Sequence, residues 1–195
     1  MELPIYELMI SDDFNDDAEV SAVALVDYPA VKRNWNAFKD KVNFQIISED
    51  KRIVSGLLML SDTPIFRSDK LGEYYVTFSK DTIFKIAQRF FKKGYQANVN
   101  LMHKASMQVD GVTMFESFIS DTSRGIAPMK GFEDAPDGSW FGSFKVDNEA
   151  VWQMIKDGKV RGFSIEGNFE YSRQKSKEQA MLDNIKDILS RLSDK

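Results

Sequence analysis

Cysteine is absent from the 195 residues, and histidine occurs once, at His103. The first absence excludes disulfides, thiolate metal sites and a cysteine nucleophile. The second narrows the chemistry further. A zinc site built from several histidines cannot form within one chain, and any imidazole base has to be His103. No apolar run approaches the roughly 20 residues of a membrane span, so no membrane partner is expected. There is no basic excess either. Lys plus Arg is 26 against 30 Asp plus Glu, a net charge of −4, which makes no electrostatic case for nucleic acid. The opening residues, MELPIYELMISDDFNDD, hold no basic segment followed by an apolar one, and no secretory leader is expected. Internal repeats and low-complexity tracts are lacking.

What is present suits a packed core. Hydrophobic residues make up 43% of the chain, with 15 Phe, 6 Tyr and 3 Trp, enough for one globular domain with an added arm or tail. LPIYELMI and EVSAVALV read as short strands around the acidic turn SDDFNDD. VDYPAVKRNWNAF reads as a connector with aromatic anchors. VNFQII, RIVSGLLML and YYVTF read as strands, with TPIFRSDKLGE a loop before the last. SKDTIFKIAQRFFKKG is an amphipathic helix: Ile83, Ile86, Ala87, Phe90 and Phe91 recur at helical spacing, with Ser79 as cap and Gly94 as stop. ANVNLMH places Val99, Leu101 and His103 on one strand face. VTMFESFIS is its expected antiparallel partner through Asp110-Gly111. SWFGSFKV is a strand, and DNEAVWQMIKDG a short helix capped by Asp147 and stopped by Gly158. In KSKEQAMLDNIKDILSRLSDK, an apolar stripe from Met181 to Leu192 predicts a terminal amphipathic helix.

The most informative strand is GKVRGFSIEGNFEY, residues 158–171. Phe163, Ile165, Phe169 and Tyr171 alternate with Ser164, Glu166, Asn168 and Glu170. Gly162 and Gly167 flank the serine. Glycine inside a strand marks a bulge, relief of curvature, or a place where another backbone comes close. Small neighbours would let a substrate carbonyl reach a serine hydroxyl, and a nucleophilic serine needs a base and oxyanion donors nearby. Ser164 and His103 can equally be inert strand residues. Glu166 and Glu170 on the same face admit a carboxylate-based hydrolase, or simply a solvated face. There is no G-x-S-x-G elbow, P-loop or G-x-G-x-x-G.

Taken together, NVNLMH, FESFISD and GSWFGSFKVDNEAVWQMIKDGKVRGFSIEG resemble the phage prohead (capsid maturation) serine proteases of the XkdF-like branch. The resemblance covers roughly residues 50–171, and AVALVDYPAVKRNW resembles that branch's N-terminal arm. It implies kinship with herpesvirus assemblins and an α+β fold: a mostly antiparallel β-barrel core, peripheral helices and a C-terminal amphipathic helix. The expected parts are N-terminal strands and an arm (1–40), a protease core (41–172) and a C-terminal amphipathic helix or tail (173–195). The implied function is an endopeptidase that cuts scaffold and capsid-protein segments, and itself, inside the prohead in the host cytoplasm. Scaffold protein, major capsid protein and portal are the implied partners, with a homodimer as a further expectation. No metal or organic cofactor is implied. The rival reading is a non-catalytic capsid-assembly protein of the same fold, acting through its C-terminal helix.

Carried onto this chain, the resemblance makes Ser164 the nucleophile and His103 the base. Backbone N–H groups around Ser164, Ile165 among them, would hold the oxyanion, with Gly162 and Gly167 leaving room for substrate. Arg124, in the SDTSRGIAP loop, and Arg161 are candidates near the oxyanion. Assemblins use a second histidine as third member, which this chain lacks, so its third member is a carboxylate, a water or absent. With the Asp110-Gly111 turn pairing residues whose numbers sum to about 221, Glu116 becomes a diagonal neighbour of His103, within reach of a long side chain. Met114 and Phe118 share its face, which predicts partial burial. Glu116 is therefore the expected third member and Glu166 the runner-up.

Overall fold

The computed structural model describes residues 3–27, 44–70 and 72–173. Eleven strands and two α-helices lie within them: β1 (Ile5–Met9), β2 (Val20–Val26), β3 (Phe44–Ser48), β4 (Ile53–Met59), β5 (Ile65–Asp69), β6 (Gly72–Thr77), α1 (Lys80–Lys92), β7 (Val99–Leu101), β8 (Val112–Ile119), β9 (Trp140–Val146), α2 (Glu149–Lys156), β10 (Gly162–Gly167) and β11 (Glu170–Arg173). The connector expected after β2 and the expected terminal helix lie outside the described residues.

The strands form three sheets, ordered β11-β1-β6-β5, β10-β2-β7 and β3-β4-β9-β8. The pairs β1–β6 and β2–β7 are parallel, and the others are antiparallel. The fold is α+β and mostly β, as expected. A closed barrel is not formed by these ladders among the described residues. β10 lies alongside β4 without a hydrogen-bonded register to it. Side chains bridge the gap instead: the Phe163 ring stands 5.2 Å from Phe44 and 4.6 Å from Phe144, centroid to centroid.

Local chemistry explains most elements. Ser79 caps α1 by accepting a hydrogen bond from the Thr82 N–H at 3.3 Å. Ile83, Ile86, Ala87 and Phe90 of its stripe are buried, with Phe90 edge-on to Trp140. Phe91, expected on that stripe, is 37% exposed. Asn148, not Asp147, caps α2, accepting from the Val151 N–H at 3.1 Å. Asp147 pairs instead with Lys145 at 2.7 Å.

Pairing departs from the sequence expectations in four places. The segment expected as a loop before β6 contains β5, which forms an antiparallel hairpin with β6 and buries Ile65. The serine strand is two strands: β10 pairs with β2, whereas β11 pairs with β1 in another sheet. Glu166 and Glu170 therefore do not share a strand face. β8 does not fold back on β7; it pairs with β9, and β7 pairs with β2. Finally, β7 ends at Leu101, because Met102 and His103 both take left-handed backbone angles, with φ of 55° and 57°. His103 thus leaves the alternation of Val99 and Leu101.

Candidate active site

The middle sheet, β10-β2-β7, carries the candidate chemistry. Its register puts Ser164 opposite Ala24 and Ala24 opposite Asn100. Directly paired residues project from the same face, so these three form one row across the sheet. Glu166, two residues along β10, shares that face and lies opposite Ala22. β2 therefore contributes only methyl groups between β10 and β7. Over them the Asn100 Nδ2–H donates to Glu166 Oε2 at 2.6 Å. The same carboxylate oxygen lies 3.5 Å from His103 Nδ1.

The turn at Met102–His103 makes this contact possible. The Met102 N–H donates to the Leu25 carbonyl at 3.0 Å, and the Lys104 N–H donates to the Leu101 carbonyl at 3.1 Å. Together they hold the left-handed pair at the end of β7 and swing the imidazole toward β10. His103 and Glu166 keep access to solvent, with side-chain exposures of 43% and 36%. Ser164 itself is 8% exposed. No hydrogen bond joins its hydroxyl to His103 among the described residues. In free enzymes such bonds are often long, and they tighten in the substrate complex. With Nδ1 facing Glu166, the other ring nitrogen, Nε2, is the one left for a serine.

Glu116 sits elsewhere. The β8 register slips between Met114 and Glu116, so that Met114 faces Phe144 and Glu116 faces Ser143. The bulge re-phases the strand, and Glu116 is exposed rather than partly buried. It lines a concavity of about 1170 Å³ with Phe84, Phe91 and Phe115. Arg124 lines the same concavity and pairs with Asp121 at 3.3 Å. Arg161 precedes β10 and donates from Nε to the Gly158 carbonyl at 2.9 Å. Gly162 is buried opposite Val26, and Ile165 packs on the core opposite Val23.

Gly167 answers why the strand narrows after the serine. A Cβ there would stand 2.1 Å from the Glu19 carbonyl oxygen and 2.7 Å from Val20 Cα. The register slips at this point, with Glu166 facing Ala22 and Gly167 facing Val20. The space beside Gly167 is therefore filled by the backbone of β2, not held open for substrate.

The match to known families reaches from β3 through β11. Residues 41–172, more than half of the chain, match the model of the family described as "putative phage serine protease XkdF". The chain belongs to this family. No curated protein and no solved structure matches it. The XkdF family match contains Asn100, His103, Ser164 and Glu166 but ends short of β1 and β2. The strand on which Asn100 and Glu166 meet thus comes from outside the matched region.

Two residues of this XkdF-family chain escaped the sequence reading. Asn100 is the polar residue inside Val99–Leu101, buried with 6% exposure. A polar side chain in a short apolar strand was the available signal. Arg67, on β5, lines a cavity of about 160 Å³ together with Ser164, Phe169 and Tyr171. Burial pushes its guanidinium below the ordinary arginine value. No cluster of His, Asp or Glu among the described residues has the grouping needed to hold a metal ion.

Proposed function

We propose that this chain is a serine endopeptidase in which Ser164 is the nucleophile, His103 the base and Glu166 the acid that orients it. One observation carries the reading: the chain's single histidine meets a carboxylate two residues from Ser164, on the same strand face. Family membership supports the reaction class. Ser164 Oγ attacks a peptide carbonyl and passes its proton to His103 Nε2. Glu166 accepts from Nδ1–H, which selects the tautomer with Nε2 free and stabilises the imidazolium that forms. The imidazolium then protonates the leaving amine, and water hydrolyses the acyl-enzyme by the same route. Backbone N–H groups around Ser164, including that of Ile165, would hold the oxyanion.

The proposed setting is capsid maturation. The substrates are scaffold protein, major capsid protein and portal segments, and the site of action is the prohead interior in the host cytoplasm. A fold kinship with assemblins and a homodimer belong to the same proposal. The test is cleavage of a scaffold segment by the purified chain. Ser164→Ala and His103→Asn should each abolish it. Asparagine is chosen because it tolerates the left-handed backbone at this position. A His103→Asn enzyme cutting at the wild-type rate would overturn the assignment. For the third member, Glu166→Gln should lower kcat, by at most about 10⁴-fold, while Glu116→Gln should leave it unchanged. The opposite ranking returns the role to Glu116.

A further inference from the structure

We propose that Asn100 is a positioning residue of this site, its amide holding the Glu166 carboxylate where His103 meets it. The proposal rests on the serine-protease reading above. Three observations support it. The Asn100 Nδ2–Glu166 Oε2 bond, at 2.6 Å, goes to the same oxygen that lies 3.5 Å from His103 Nδ1. That oxygen is therefore held from one side by a buried strand residue and faces the imidazole on another. Second, Asn100 is itself held firmly. Its backbone pairs with Ala24 on one side and bridges Gln108 on the other, and the neighbouring Val109 N–H donates to the Val99 carbonyl at 2.8 Å. Glu166, by contrast, has a long side chain with considerable exposure. Third, the amide is unbalanced. Its Oδ1 is buried with no hydrogen-bond partner among the described residues. A buried polar atom left unpaired costs stability, so a purely structural role accounts poorly for asparagine here. The Nδ2 end has a function that an apolar side chain could not supply.

Chemistry also fixes the amide's orientation. An ionised carboxylate only accepts, so the NH₂ end must face Glu166 and the oxygen must face away. The span works because β2 offers Ala22 and Ala24 beneath it. A larger residue at either position would stand between Asn100 and Glu166.

The test uses kcat, KM and the ring signals of His103 in proton NMR, the chain's one imidazole. Asn100→Ala should lower kcat about 10–100-fold, the scale of a misplaced catalytic group, with KM unchanged. In the Glu166→Gln background the same substitution should cost nothing more, because the two residues act as one unit. The His103 ring resonances of Asn100→Ala should move toward those of Glu166→Gln. If Asn100→Ala does not fold, Asn100→Leu keeps about the same volume, removes the donor without adding a charge and carries the same comparison. Equal losses in both backgrounds would mean a merely structural role and overturn the proposal. So would ring signals that Glu166→Gln moves and Asn100→Ala does not. The NMR comparison needs no turnover, so it reads the positioning even if Ser164 cleaves nothing. A Glu166→Gln enzyme with wild-type kcat and unmoved ring signals removes the carboxylate role itself, and the Asn100 proposal with it.

Discussion

At His103 the backbone takes an energetically unfavourable conformation. Left-handed angles cost a non-glycine residue about 1–2 kcal/mol, and Met102 and His103 adopt them in succession. Strain of this kind persists only where the surroundings over-determine it; here the Leu25 and Leu101 carbonyls do so. Gly167 is the opposite case, a residue whose missing side chain is required. Gly167→Ala would drive a Cβ into the β2 backbone, which cannot move as a side chain could. The expected loss is about 1–3 kcal/mol, the range for overpacking, read as a lower urea midpoint. An unchanged midpoint would mean the bulge opens freely. Two tyrosines give a pH prediction. Tyr74 donates to Asp69 Oδ2 at 2.6 Å and Tyr95 to Glu19 Oε1 at 2.7 Å. These carboxylate bonds, with burial second, push both phenols above their ordinary value near 10. Because the folded pKa is raised, this stabilisation is complete below about pH 10. As pH rises from there toward the folded values, the unfolded chain releases protons that the fold retains, and stability falls. Urea unfolding at stepped alkaline pH should show that decline, and Tyr74→Phe should lessen it.

At the scale of elements, β10 matters most, because it joins the serine to the core. Phe163 is fully buried against Phe44 and Phe144, one residue before Ser164. Phe163→Ala should cost about 3–5 kcal/mol, through lost transfer energy plus the cavity left behind. Phe115→Ala, at a ring 48% exposed, should change stability by no more than about 0.5 kcal/mol. Similar losses from both would contradict the packing described. The helices were legible because their signals are local. Ser79, the Ile83–Phe90 stripe and Gly94 lie within one segment, and their hydrogen bonds form within it. Asp147 and Asn148 compete for one cap a residue apart, a choice finer than pattern reading resolves. The segment holding β5 reads as a loop because of Pro64 and Gly72, whereas the strand's support comes from pairing with β6.

At the scale of the whole molecule, the N-terminal strands belong to the core. β2 is the central strand of its sheet, and Val23, Ala24 and Leu25 are completely buried. β1 joins β11 to β6 in the sheet beside it. A chain shortened to residues 41–172, the extent of the family match, should therefore fail to fold cooperatively. Circular dichroism during heating would show this as loss of a sharp transition. A cooperative transition in the shortened chain would show that β1 and β2 are dispensable.

Sequence alone determined what depends on residue type and near neighbours. One histidine and no cysteine left His103 as the only imidazole. Helical periodicity marked α1, cap and stop residues marked α2, and the glycine-flanked serine marked β10. The family motifs, too, are readable along the chain. Tertiary structure decided which strands pair and which carboxylate meets the imidazole. The expected third member, Glu116, followed from a hairpin that the core overrules, since β8 gains more by joining β9 over buried Trp140, Phe141 and Phe144. The Asn100–Glu166 contact joins residues 66 apart in sequence. It exists only because β2, from near the chain's start, lies between them with two alanines. Such a contact is set by long-range strand register, which side-chain alternation within one strand leaves open.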